Sequence, residues 1–126
     1  MNLPAELKYA ATHEWSRQEA DGSLTVGITD HAQSTLGDVV FIQLPDTGRT
    51  VRAGEEVAMI ESVKAASDVY APVAGTVLEV NKLLEATPEK VNHAPYGEGW
   101  MLKLKLANPA DAAALLSPED YGKSIG

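Results

Sequence analysis

The 126-residue chain contains no cysteine. Disulfides, zinc–thiolate sites and a cysteine nucleophile are therefore excluded, and any thiol chemistry must come from something attached. Basic residues are scarce: ten Lys and Arg stand against eighteen Asp and Glu, a formal net charge of −8. Such a surface repels phosphate backbones, so no nucleic-acid partner is expected, whereas basic faces of partner proteins suit it. No apolar run approaches the ~20 residues needed to span a membrane, so no membrane partner is expected either. Met1-Asn2-Leu3-Pro4-Ala5-Glu6 has no basic region followed by an apolar run, and reads neither as a secretory signal nor as a transit peptide. A cytoplasmic protein of bacterial type is the expectation. A mature organellar protein with its presequence removed is the other reading.

Catalytic motifs are missing as well. There is no Gly-x-Gly-x-x-Gly and no P-loop, and Gly97-Glu98-Gly99 opens a strand rather than a helix, so it reads as a turn. Gly-x-Ser-x-Gly is absent. His13, His31 and His93 lie far apart in the chain without ligand-like spacing, so no metal site is expected. The chain alone lacks the equipment of a catalyst.

What is there is a run of short strands. Lys8-Tyr9 suits an edge strand, with Trp15 filling the core and His13 and Glu14 facing water. Asp21-Gly22 signals a hairpin turn, and Leu24, Val26 and Ile28 alternate as in a half-buried strand. Asp30 with Gln33 predicts a capped short helix that Gly37 stops. Val39 to Leu44 is the most β-prone run. Pro45 to Gly48 and Pro72 to Gly75 are similar turns, each leading toward a strand, and hint at quasi-symmetry. Asn81 to Glu85 suggests a helical turn, with Thr87-Pro88 capping another. Leu102 to Leu106 alternates strictly, leaving Lys103 and Lys105 in water. Asn108-Pro109 and Ser117-Pro118 cap a helical tail over about 108–122. The fold class is mainly β, a sandwich or barrel with short helices and a C-terminal helical tail, in a single domain over 1–126.

The most informative stretch is Glu61-Ser62-Val63-Lys64-Ala65-Ala66-Ser67-Asp68. Strand-like residues precede and follow it, so Lys64 falls at the tip of a hairpin over about 57–71. Small uncharged neighbours leave its amine open to an acylating enzyme. Glu61 to Ala65 resembles the attachment motif of lipoyl domains, with an acidic residue three before the modified lysine. Biotin carriers instead flank their lysine with methionines, so the resemblance favours lipoate.

The resemblance extends over about residues 5 to 121. His13-Glu14-Trp15, Val26 to Thr29, Leu36 to Phe41, Leu44-Pro45, Glu61 to Asp68, Val91-Asn92 and Pro95 to Trp100 look like the H proteins of the glycine cleavage system. That family implies a barrel-sandwich, lipoyl-domain-like fold with (R)-lipoate amide-linked to Lys64. It implies a monomeric, non-catalytic carrier. The P protein, a pyridoxal-phosphate enzyme, loads an aminomethyl group from glycine. The T protein passes its carbon to tetrahydrofolate, and the flavoenzyme L protein reoxidises the dithiol. A lipoate-attaching enzyme is the fourth partner, and Glu61 would aid its recognition or hold the turn. The residues matching the family's adduct cleft are Thr12, Glu14 and Asp68, with Thr12 standing where the family often has serine. A lipoate-relay protein that donates lipoyl groups to other carriers is the alternative.

Overall fold

The computed structural model describes residues 2–125. Among the described residues, nine strands form two antiparallel sheets. In chain order they are β1 (Lys8–Tyr9), β2 (Glu14–Gln18), β3 (Leu24–Ile28), β4 (Val39–Gln43), β5 (Thr50–Val51), β6 (Glu56–Ser62), β7 (Ala66–Tyr70), β8 (Gly75–Val80) and β9 (Leu102–Leu106). The larger sheet runs β1-β2-β3-β9-β8-β5 and the smaller β4-β6-β7. Five short helices connect and flank them: α1 (Asp30–Leu36), α2 (Leu83–Ala86), α3 (Lys90–His93), α4 (Ala110–Ala113) and α5 (Pro118–Ile125). The architecture is therefore mainly β with short helices.

The core lies between the two sheets. Leu24 and Val26 of β3 and Leu102 and Leu104 of β9 meet Ile42, Ile60 and Val69 from the smaller sheet. A second apolar cluster of Leu7, Tyr9, Trp15 and Tyr121 lies under α5, with Tyr9 and Tyr121 stacked at 4.9 Å. The tail is thus fastened by aromatic burial.

Several local expectations are corrected. β3 is buried at all five residues rather than half-buried. It lies between β2 and β9, and Gly27 faces the Trp15 indole, so neither face meets water. The cap of α1 is Thr29, whose hydroxyl accepts from the Ala32 N–H; Gln33 instead donates to the Asp30 side chain. Gly37 ends α1 at φ 80°, a left-handed backbone that favours glycine. Thr87 does not cap α3: it follows α2, and its hydroxyl donates back to the carbonyl of Leu83, the first residue of that helix. Lys103 is half-buried, pairing with Glu79 and lying over the Trp100 ring, rather than standing in water. The helical tail is interrupted: α4 ends at Ala113, and Leu116 beyond it bridges to Tyr9. α5 runs past Gly122 to Ile125. The two proline turns lead to β5 and β8, which pair with each other through Thr50–Thr76 and Val51–Gly75.

Candidate functional site

β6 and β7 form the hairpin, and Val63-Lys64-Ala65 is its tip. Ser62 closes the bend. Its hydroxyl oxygen accepts from the Lys64 N–H at 3.2 Å and the Ala65 N–H at 3.1 Å. The backbone of Ser62 donates to the Ala65 carbonyl, and Val63 donates to Asp38 at the foot of β4. Lys64 is exposed. Its Cε lies over Gly37, where an added Cβ would approach to 2.9 Å, so a larger residue there would displace the lysine chain. Glu61 points from β6 between Phe41 and Ala66 of the neighbouring strands; among the described residues it makes no side-chain hydrogen bond or ion pair. The bend is held by Ser62, a role that went unread in the sequence although a hydroxyl two residues before a turn is a recognised signal.

Beyond the tip lies a cleft of about 160 Å³. The loop at Thr12 to Glu14 forms one side, Ser67 to Val69 of β7 another, and α1 covers it with His31, Ala32, Thr35 and Leu36. Ile28 and Ile60 supply apolar floor. Thr12, Glu14 and Asp68 are thus brought to one cavity, with Asp68 on the order of 10 Å along the hairpin from Lys64. A wider groove of about 600 Å³ runs beside Phe41 and Glu85, but its ionisable lining residues are all exposed.

Glu14 does not face water as the bare sequence suggests: it is 1% exposed. Pairing with Ile28 across β2 and β3 turns it inward. The Thr12 hydroxyl donates to Glu14 Oε1, and the Tyr70 N–H donates to Oε2 at 3.1 Å. Burial pushes its carboxyl up to about 7, and these hydrogen bonds only partly offset that. A buried carboxylate of this kind gains most from an incoming cation. Asp68 is exposed at the mouth, and its carboxyl beside Glu56 raises the Glu56 carboxyl. The fold also overturns the separation of the histidines: His13 and His31 stand 5.0 Å apart at the cleft.

The family model "Glycine cleavage H-protein" matches residues 7–126. The chain belongs to the glycine cleavage H-protein family. It is 62% identical over 125 residues to the glycine cleavage system H protein of Opitutus terrae, covering 99% of this chain and 98% of that one. With the H protein of Laribacter hongkongensis the identity is 59% over the same coverage. The crystal structure of an H protein from Mycobacterium marinum is similar at a TM-score of 0.89 and 38% identity, covering 98% and 99% of the two chains. The lipoyl-domain-like fold read from the sequence is the fold of this family.

The residues around the tip fit a lipoyl group. The lysine is exposed on a rigid bend, the cleft has apolar walls for an aliphatic arm, and a buried carboxyl waits at its inner end. Among the described residues no cluster of metal-ligating groups occurs, and no helix is long and apolar enough to cross a membrane.

Proposed function

We propose that this chain is a single-domain lipoyl carrier of the glycine cleavage system, bearing (R)-lipoate on Lys64. Its arm shuttles the aminomethyl group of glycine from the P protein to the T protein, and the L protein reoxidises it. When bound, the lipoyl group supplies a ring disulfide that opens to a dithiol. The chain's own residues hold and shield rather than catalyse. Ser62 presents the Lys64 amine, and Glu61, which holds nothing in the fold, serves recognition by the lipoate-attaching enzyme. Glu14 and Asp68 pair with the ammonium of the loaded arm, the Thr12 hydroxyl orients Glu14, and the apolar walls keep water away. The carrier acts in the cytoplasm as a monomer.

The observation that carries this reading is one hairpin joining an exposed lysine at its bend to a cleft with a buried carboxyl. Incubation with lipoate, ATP and a lipoate ligase tests it by intact mass. One lipoyl group should appear on the parent and none on Lys64→Arg. The loaded parent should then support glycine decarboxylation with P, T and L proteins. A parent that stays unmodified, or an active Lys64→Arg, overturns the reading. Lipoylation without glycine turnover would point to the relay role.

A further inference from the structure

The carrier reading leaves the imidazoles of the cleft without a role. Among the described residues His13 is the one non-glycine residue with a left-handed backbone, at φ 79°. Such a conformation persists only where the surroundings hold it. A line of hydrogen bonds from the C-terminal helix does so. The Ala32 N–H donates to Thr29 Oγ1 at 3.2 Å, Thr29 Oγ1 meets Tyr121 Oη at 2.8 Å, and Tyr121 Oη meets His13 Nδ1 at 2.8 Å. Thr29 and Tyr121 are both fully buried.

The direction of these bonds follows from counting hydrogens. Thr29 already accepts from Ala32, so its own hydrogen needs an acceptor, and Tyr121 Oη is its remaining partner. The Tyr121 hydrogen is then left for His13 Nδ1, which must be bare to receive it. The opposite direction places a hydrogen on Nδ1 and strands either the threonine or the tyrosine hydrogen in the interior, without an acceptor.

We propose that Tyr121 fixes His13 as the neutral tautomer protonated at Nε2, so that the His13 ring offers no free basic nitrogen to a bound cationic amine. The groups around the imidazole are Glu14 from β2, His31 from α1, Asp68 from β7 and Tyr121 from α5. The two carboxyls favour an imidazolium; the hydroxyl line opposes it. Burial, with His31 beside the ring, also holds His13 below the usual histidine range. The consequence, unlike the tautomer, rests on the aminomethyl reading. An aminomethyl thioether sheds its amine only after the ammonium gives up a proton. The freed lone pair then forms the C=N bond, and the C–S pair leaves on sulfur; water adds to the methylene iminium, which breaks down to formaldehyde and ammonium. A His13 whose Nδ1 lone pair is already taken by Tyr121 cannot accept that first proton.

The full chain, 15N-labelled and unlipoylated, tests the tautomer by long-range 1H–15N spectra through pH 5 to 8, with His13→Gln used for assignment. The parent should show a bare Nδ1 and a protonated Nε2 on His13. Tyr121→Phe, which retains the stacking on Tyr9, should mix the tautomers and shift the His13 titration upward. A parent with hydrogen on Nδ1 overturns the proposal, even if the variant fails to fold. So does a Tyr121→Phe spectrum unchanged from the parent. In the lipoylated, loaded protein, Tyr121→Phe should release ammonia severalfold faster; an altered tautomer with unchanged release would remove the protective role. None of these outcomes depends on whether Lys64→Arg abolishes lipoylation, so the two readings fail separately.

Discussion

Glu14 carries an energetic cost that its surroundings recover only in part. Its carboxyl is raised from an ordinary value near 4.5 to about 7, chiefly by burial. The folded chain therefore holds a proton that the unfolded chain has already lost between these values. Stability from this residue is fully present below pH 4.5 and declines as pH rises through 7, by on the order of 3 kcal/mol in total. Urea unfolding of the unlipoylated protein at pH 5 and pH 8 should show this fall, and Glu14→Gln should flatten it. Equal slopes in parent and variant would place Glu14 in a more hydrated site. A second residue-scale constraint is Gly27, where a Cβ would lie 2.7 Å from the Trp15 indole nitrogen. That nitrogen donates to the Pro95 carbonyl at 2.8 Å, so the ring cannot easily yield. Gly27→Ala should cost about 2 kcal/mol through overpacking, read from denaturant midpoints at constant slope.

At the scale of elements, the hairpin and the tail have separable duties. Ser62 tightens a bend exposed to solvent, so Ser62→Ala should change global stability by no more than about 1 kcal/mol. It should slow lipoylation, because Lys64 is then presented by a looser tip. An unchanged rate at limiting ligase would mean that the enzyme moulds the bend itself. The tail behaves differently. Removing residues 118–126 would strip Tyr121 from Tyr9 and uncover the cluster that includes Trp15. Loss of one buried aromatic side chain from a core costs about 3–5 kcal/mol, so the truncated chain should melt many degrees lower. Asn92 of α3 ties two other elements together: its side chain donates to the Gly37 carbonyl at 2.8 Å and accepts from the Val39 N–H at 2.8 Å. It thereby joins the end of α1 to the start of β4, beside the lysine.

For the molecule as a whole, the accessible surface of 6361 Å² is close to the roughly 6500 Å² typical of a folded monomer of this mass. On the carrier reading, the partners are met in turn at this surface. With a net charge of −8, those encounters should be steered by charge. Raising salt well above the physiological range should raise the concentration of loaded carrier needed to half-saturate the T protein, because surface attraction is screened. A salt-independent value would assign docking to apolar contacts.

The Lys64 motif, the order of short strands and the helix-stopping Gly37 were all legible in the chain, because each depends on neighbours within a few residues. The stacked aromatics under α5, the burial of Glu14, the meeting of His13 with His31 and Tyr121, and the burial of β3 on both faces were not. They depend on partners as far as 108 residues away. Local periodicity records which side of a strand is apolar, but not whether another layer will cover its polar side. Only the packing of two sheets and a helix around one cleft turned an ordinary glutamate into a buried acid and a remote tyrosine into the neighbour of a histidine.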